Sequence, residues 1–370
     1  MARLSPNPAR SLTWLRGGAC GPRRFRWSAV FVFAAILLAA ASVACESSAP
    51  AVATAPPPTL APTDTPVPTP TKVTLDPFAT AEVPAADPEL LANLKELMAL
   101  VPQEYGSAVY LNLKSLREDP ALGGSITPEA LGLDSALPSL VAGLVDELVI
   151  AAEFGSRRVI SGFRGPFDLE QALLLAGSFG VQVLGGGAEE YGRHKVWTLD
   201  VQGVSLAMGS ADATTGVAGA HQDPSVPPTS LVKQALDAFD GQTTMLLDST
   251  DATSLIESVP SGFAAVIIAD CAGLALLAET EGIFGCTGAA VSASVFGESE
   301  VAIHALVGFT EDALAATAVA LTSQAIEAQA APRGIRGVGV RQEGRWVRAR
   351  VVAELPDFNK AFELFKPRTN

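Results

Sequence analysis

The pattern of hydrophobic and polar residues divides the chain into three parts. One uncharged apolar run extends from Ser28 to Ala44, a Pro/Thr-rich stretch without a period follows, and regular periodicity begins only at Asp87. Asp87 as an N-cap and Pro88 at the first helical position predict that a helix begins there. Apolar residues continue this helix at the expected spacing, namely Leu90, Leu91, Leu94, Leu97 and Met98, and a strand is predicted at Ser107–Leu113.

The order of predicted elements occurs twice. Leu97–Pro102 stands before the first strand, and Leu255–Pro260 repeats it before an apolar strand at Phe263–Ala269. Ala151–Val159 matches Ala293–Val301 without a gap, and each of these segments reads as a hairpin with a polar turn. Because the order of the elements agrees as well as the letters, the sequence indicates an internal duplication.

Each predicted copy continues with a helix that opens at Phe167 or Phe309, a further strand pair and a closing helix. The strand pairs are Val196–Leu199 with Val204–Ala207 and Ile335–Val340 with Trp346–Val351, and the closing helices lie near Leu231–Phe239 and Phe358–Phe365. Helices separated from runs of hairpin strands predict the α+β class, here two tandem copies of a helix plus antiparallel-sheet unit, with each sheet covered on one side. The two α+β repeats are placed at residues 87–245 and 246–370.

Three short motifs of the first copy resemble a family of duplicated extracytoplasmic bacterial proteins of unknown function. They are Gly165-Pro-Phe167-Asp168, Tyr191-Gly-Arg-His-Lys-Val-Trp197 and Met208-Gly209-Ser210. The resemblance covers residues 95–240 well and the second copy loosely. It implies an exported α+β domain and supplies no catalytic residues.

The N-terminus has the three parts of a secretory signal peptide, predicted at residues 1–44. Six Arg and no acidic residue precede the apolar run, and small residues end it. Ser42-Val43-Ala44-Cys45 resembles the lipobox of bacterial lipoproteins, with Ser42 where that family usually has a large aliphatic residue. The resemblance implies acylation of Cys45 and a lipid-anchored protein at the extracytoplasmic face of the cell membrane. An uncleaved signal anchor and simple secretion are the alternatives.

Residues 45–86 are predicted to be a disordered linker between the lipid and the globular part. Ten of residues 46–86 are Pro and eight are Thr. Proline fixes φ and removes a hydrogen-bond donor, so this composition favours polyproline II over helix or strand. Such a linker spans on the order of 100 Å when fully extended.

Charge limits the partners of the protein. The whole chain has 25 basic and 39 acidic residues, a net charge of -14, but residues 1–44 hold six of the basic ones. The exported part therefore has 19 basic and 39 acidic residues, a net charge of -20. Nucleic-acid binding is excluded on this ground, because it depends on Lys and Arg that neutralise phosphates. The membrane, through the lipid anchor, is a predicted partner, and the sequence does not identify a protein or small-ligand partner.

Two cysteines remain in the exported part besides Cys45, namely Cys271 and Cys286. In an oxidising compartment, two thiols at this separation favour a structural disulfide, with free buried thiols and a redox pair as alternatives.

A cluster of arginines interrupts the acidic second copy on its last predicted hairpin. Its members form a candidate anion-binding patch: Arg341, Arg345, Trp346, Arg348 and Arg350. The alternative is a solvated strand that pairs with acidic residues of the same protein.

No pattern typical of catalysis, a metal site or a cofactor occurs in the sequence. His194, His221 and His304 are far from one another, and no zinc-binding spacing or nucleophile elbow is present. Gly185-Gly186-Gly187 is interpreted as a flexible turn, because the acidic residues after it would repel phosphate. We therefore predict a protein that is not an enzyme, needs no metal or cofactor, and acts by binding or scaffolding. A carrier of an apolar or lipid-like ligand and a carboxylate-based hydrolase are the alternative functions.

Overall fold

The computed structural model describes residues 87–119, 144–153, 158–166, 168–177, 181–201, 203–221, 223, 225–269, 271, 285–296, 300–330 and 335–354. The predicted signal peptide, Cys45, the linker and the closing helix at Phe358–Phe365 lie outside these residues.

The α-helices of the described ranges are α1 Pro88–Met98, α2 Leu113–Glu118, α3 Leu169–Gly177, α4 Pro228–Phe239, α5 Thr250–Glu257 and α6 Asp312–Ala330. Helix α1 begins where the sequence predicts, since the Asp87 carboxylate accepts hydrogen bonds from the amides of Glu89 at 2.9 Å and Leu90 at 3.4 Å. None of these helices combines the length and the apolar character that crossing a bilayer requires.

The strands are β1 Ser107–Asn112, β2 Glu147–Glu153, β3 Arg158–Arg164, β4 Val181–Tyr191, β5 His194–Val201, β6 Val204–Ser210, β7 Thr215–His221, β8 Ala264–Ile268, β9 Cys286–Phe296, β10 Glu300–Phe309, β11 Ile335–Glu343 and β12 Trp346–Glu354. They form one 12-stranded sheet in the order β11-β12-β10-β9-β8-β1-β2-β3-β7-β6-β5-β4. Every recorded pairing is antiparallel. The prediction of the α+β class is confirmed.

The strand order is the same on both sides of the β1–β8 pair. Outward from that seam, β1-β2-β3-β7-β6 forms one side and β8-β9-β10-β12-β11 the other, while β5 and β4 extend the first side. Because the two seam strands are antiparallel neighbours, a twofold axis perpendicular to the sheet relates these two sets and leaves each face of the sheet unchanged. We call β1–β7 the first half and β8–β12 the second half. The predicted domain boundary after residue 245 stays a prediction, since both halves contribute to one sheet.

Helices lie on both faces of the sheet, which corrects the expectation of a sheet covered on one side. We call the face that carries Tyr110 and Val149 the front; α1, α4 and α5 pack on it around a core that includes Leu97, Leu231 and Ile256. The opposite face, the back, carries Phe163 and Trp197 and is covered by α2 and α3, and by α6 in the second half. Both faces of most strands are therefore apolar, as five consecutive buried residues in β8 illustrate.

Two details of the first half differ from the sequence analysis. The predicted pair Val196–Leu199 with Val204–Ala207 forms within β5 and β6, but the strand that returns to the first hairpin is β7, which the sequence analysis missed. Gly185-Gly186-Gly187 lies inside β4, where all three residues have positive φ and the register with β5 shifts. The glycines therefore form an irregularity within an edge strand and not a free turn.

The gap-free match of the two hairpins is also corrected. Ala151 is on the front, in the core that includes Tyr110, whereas Ala293 is in the back core. A shift of one residue moves a strand residue to the opposite face of a sheet. The second turn is one residue shorter than the first. Ala151, which pairs with Ile160 in the first hairpin, therefore corresponds to Ser294, which pairs with Ala302 in the second.

Candidate functional site

The structure joins Cys271 and Cys286 in a disulfide whose Cα atoms lie 5.7 Å apart. This separation is within the usual range for a disulfide. Cys271 follows β8 and is buried, and Cys286 begins β9. Val266, Ile268 and Ala289 surround the pair with apolar side chains. The bond ties the two ends of the segment that connects these neighbouring strands.

Removal of this disulfide is expected to destabilise the protein. Replacing both cysteines by serine opens a loop of about 15 residues, which corresponds to a loss of about 3 kcal/mol in the chain-entropy model. Urea unfolding of the double variant, compared with the oxidised and the reduced wild type, measures this loss. Equal stability of the oxidised and reduced wild type would contradict the prediction.

The arginines of the candidate anion-binding patch do not share one exposed surface. Arg341 and Arg348 both pair with Glu343, at 2.5 Å and 3.2 Å, and Arg348 also donates to the backbone oxygen of Ser258 at 2.6 Å. Although burial opposes it, the hydrogen bond and charge of Arg348, together with Arg341, hold the pKa of Glu343 below its ordinary value. Two of the predicted cations thus share one carboxylate of the same protein, as the alternative interpretation expects. The anion-binding patch stays a prediction.

The remaining members of the patch differ from each other in exposure. The Arg345 guanidinium lies 5.6 Å from the centre of the Trp346 ring in an exposed turn. Arg350, in contrast, is 0% exposed in the middle of β12. Strand pairing places it directly beside His304 of β10, which is beside Ser292 of β9. We call Ser292, His304 and Arg350 the polar row.

The polar row is buried on the front of the second half. Ser292 and His304 are 1% and 2% exposed, and among the described residues neither the Ser292 hydroxyl nor the His304 Nε2 has a hydrogen-bond partner. Burial, followed by the charges of Arg350 and Arg348, lowers the pKa of His304 to about 4. His304 is therefore neutral in the folded protein at neutral pH.

The shifted pKa of His304 makes stability depend on pH. The unfolded imidazole binds a proton near pH 6.5 and the folded one only near pH 4, so acidification between these values favours unfolding. No stability is lost through this group above pH 6.5, and the loss grows on acidification to about 3 kcal/mol at pH 4. His304→Gln is expected to reduce the slope of stability against pH in this range, measured by urea unfolding at several pH values. His221→Gln serves as the control, because His221 is only partly buried and lies outside the polar row.

A second buried polar network lies on the front near the seam. Tyr110 donates to Glu147 at 2.6 Å, and Arg164 pairs with Glu147 at 3.2 Å and with Glu96 at 3.1 Å. Burial, with the hydrogen bond to Glu147, raises the pKa of Tyr110. The network joins β1, β2, β3 and α1 through a chain of contacts in which each of these polar groups has a partner, which is typical of a structural network.

The two other histidines are held in local contacts. His194 reaches the backbone oxygen of Ser210 at 3.0 Å and Asp240 at 2.9 Å, which links β5 and β6 to the end of α4. His221 accepts a hydrogen bond from the amide of Asp223 at 2.8 Å. Within the ranges that the structure describes, no group of three or more His, Cys, Asp or Glu residues is arranged to hold a metal ion.

Exposed large apolar side chains gather at the outer end of the first half. Of the six in the described ranges, only Leu321 lies elsewhere; the other five are Leu174, Leu175, Val183, Leu184 and Val204. They are on α3, on the edge strand β4 and at the turn between β5 and β6. We call these five residues the outer-end cluster. Leu174 is the most exposed of them, at 76%.

Comparison with known proteins shows similarity in overall structure only. No protein-family model and no curated protein matches the sequence. Among solved structures, crystal form I of TP0453, a Treponema lipoprotein, is similar with a TM-score of 0.46 and 8% identity over 72% of this chain and 96% of that chain. Crystal form III gives a TM-score of 0.45 at 6% identity, over 72% of this chain and 97% of the other. Similarity at this level assigns no function.

Proposed function

We propose that the protein is a lipid-anchored extracytoplasmic protein that binds another protein through the outer-end cluster and is not an enzyme. Export is supported by the Cys271–Cys286 disulfide, since such bonds persist in oxidising compartments. The signal-like N-terminus and Cys45 support the anchor, and the Pro/Thr-rich stretch supports a spacer that holds the sheet away from the membrane.

The observation that carries the binding role is the outer-end cluster itself. Single exposed apolar side chains are normal, but several of them at one end of a sheet favour an interaction site. Five of the six exposed large apolar residues of the described ranges belong to it. The exported part has a net charge of -20, which favours a partner with an apolar contact surface surrounded by basic residues.

Photo-crosslinking in the native cell tests this proposal. A benzophenone amino acid at position 175 is expected to give one discrete protein adduct, which is lost when Leu174→Glu and Val183→Glu are added. The crosslinked peptide of the partner should be apolar with flanking Lys or Arg. The same probe at Leu321, an exposed leucine outside the cluster, is the matched control. Equal adducts from both positions, an adduct that survives the Glu substitutions, or a crosslink to lipid would overturn the proposal.

The anchor has a test of its own. Palmitate labelling of the full-length protein is expected to be lost in Cys45→Ala, because the thiol that carries the lipid is removed. Cys20→Ala, which removes a cysteine of the signal peptide, is the control and should label normally. Unchanged labelling of the Cys45 variant would refute the lipoprotein assignment without affecting the proposed binding surface.

A further inference from the structure

The hairpin of β4 and β5 has no counterpart in the second half, and it supplies the outer edge of the sheet. The other strands have the same order on both sides of the seam, and β5 and β4 are added beyond β6. Within the described residues β4 pairs with β5 alone, and residues 182–190 are all exposed. Alternate residues of an edge strand direct their amide and carbonyl groups away from the neighbouring strand. β4 therefore presents a row of backbone donors and acceptors to the solvent.

The turn of this hairpin determines which backbone groups point outward. Tyr191 and His194 face each other across a two-residue turn, and residues in this position exchange both hydrogen bonds. Steps of two residues along β5 lead from His194 to Asp200, whose partner in β4 is Gln182. The backbone groups of Gln182 are therefore bonded to β5. Those of the next residue, Val183, point away from the sheet.

Residues 181–184, the first part of this edge, lack the features that usually keep a sheet edge from pairing. Such features are basic side chains, proline and a covering helix. The opposite edge strand, β11, contains Arg336 and Arg341 and packs against α6. β4 contains neither a basic residue nor proline, and its two carboxylates follow the irregularity at residues 185–187. Because such an irregularity interrupts regular pairing, the accessible edge is short.

Apolar side chains of the outer-end cluster flank this short edge on both faces of the sheet. Val183 is opposite Leu199 of the back core, so it lies on the back, the face on which α3 carries Leu174 and Leu175. Leu184 is the next residue of the strand and therefore lies on the front. Side chains that alternate along an added strand would cover both groups at once.

We propose that the partner of the outer-end cluster binds as an extended segment, which adds a strand to β4 at residues 181–184. This inference rests on the proposed function and specifies the form in which the partner binds. Backbone hydrogen bonds to the edge provide affinity, and alternate apolar side chains provide specificity.

Charge defines the chemistry of this segment. Asp200 lies beside Gln182 in β5, and Glu189 and Glu190 follow in β4 itself. An apolar segment with Lys or Arg at its ends complements these carboxylates. A second copy of this chain would instead bring a further net charge of -20 to the contact, which opposes association.

Two substitutions of Val183 provide the first test, with the adduct from position 175 as the readout. Proline removes the outward N–H and leaves the bonds of β4 to β5, whereas alanine keeps the N–H. Both remove the valine methyl groups, and the proline ring is the more apolar replacement. Val183→Pro is expected to give an adduct yield about tenfold lower than Val183→Ala, because a hydrogen bond to the partner is lost.

The outcomes of this test separate the two proposals. Equal yields from Val183→Pro and Val183→Ala would refute the added strand, while a discrete adduct that is lost on Leu174→Glu and Val183→Glu would still support the outer-end cluster as the binding surface. Absence of a discrete adduct in the wild type would overturn both proposals. An adduct with a second copy of this chain would refute the extended partner segment. Faster hydrogen exchange of β5 in Val183→Pro would show that the substitution disturbs the hairpin, and the second test then decides.

Hydrogen exchange of the purified adduct is the second test and needs no substitution in β4. The amide of Val183 is expected to exchange about tenfold more slowly in the adduct than in the free protein, because it donates to the added strand. The amide of Gln182, which already bonds to β5, is the internal control and should change less. An unchanged exchange rate at Val183 would refute the added strand, although the adduct itself would still support the proposed function.

Discussion

Gly262→Ala is expected to destabilise the protein by about 3 kcal/mol or more, one of the two largest effects of a single substitution that we predict. Gly262 precedes β8 and faces the backbone of β9. A Cβ at this position would overlap the carbonyl oxygen of Ala293 and lie 2.7 Å from its carbonyl carbon and 3.1 Å from the Cα of Ser294. All three contacts are backbone atoms of a strand in the middle of the sheet, so no side-chain rotation relieves them.

The measurement is urea unfolding, with Gly177→Ala as the matched control. Gly177 ends α3, and a Cβ there meets nothing within 4 Å. Its replacement by alanine is expected to be neutral or stabilising by up to about 1 kcal/mol, because alanine restricts the unfolded chain and favours the helix. Similar stability of the two variants would show that β8 and β9 do not approach as closely as described.

Glu147→Ala is expected to cost about 3–5 kcal/mol. Glu147 is 5% exposed and accepts from Tyr110, which is fully buried, while it also compensates the charge of Arg164. Its removal leaves the Tyr110 hydroxyl without an acceptor in the core and deprives Arg164 of the more deeply buried of its two carboxylates.

Two further variants, compared by chemical denaturation, separate the contribution of the Glu147 charge from that of its hydrogen bond and provide an exposed ion pair as control. Glu147→Gln keeps an oxygen that accepts from Tyr110 and removes only the charge, so its loss is expected to be smaller. Glu257→Ala removes an exposed ion pair with Lys95 and is expected to cost less than about 1 kcal/mol. If Glu147→Ala were as mild as Glu257→Ala, the described network would not contribute to stability.

Local patterns in the sequence predict most of the elements correctly. The first helix follows from Asp87, Pro88 and the leucine spacing, and the two hairpins follow from apolar runs with polar turns. The cysteine pair follows from counting the thiols that remain after the predicted signal peptide and Cys45. In each case the signal is carried by residues close together in the sequence.

The missed strand β7 shows why a local pattern fails where glycine is required by packing. Its sequence, Thr-Gly-Val-Ala-Gly-Ala-His, is poor in the β-branched and aromatic residues that indicate a strand. Gly216 makes room for the Phe163 ring, and Gly219 makes room for Leu231 of α4, where a Cβ would lie 3.0 Å from the leucine Cβ. The requirement comes from partners 53 and 12 residues away, which the local sequence does not show.

The buried polar groups were missed for a related reason. The sequence analysis assigns Arg350 to a candidate anion-binding patch, whereas the structure buries it completely. Arg350 and His304 are neighbours only because β10 pairs with β12 in a particular register, across a connection that contains α6 and β11. Register over such distances decides which polar side chains share an interior, and period-2 alternation alone does not specify it.

The seam between β1 and β8 has a consequence for the way the protein matures. During synthesis the first half emerges before β8, so the edge of β1 that faces the seam is open until the later residues arrive. An open apolar strand edge is a template for pairing with other chains. Ala264–Ile268, the strand that closes this edge, is itself uncharged and without proline, as aggregation-prone segments are. A chain that ended after the first half would therefore carry an unprotected strand edge, so protection of β1 depends on synthesis of the second half.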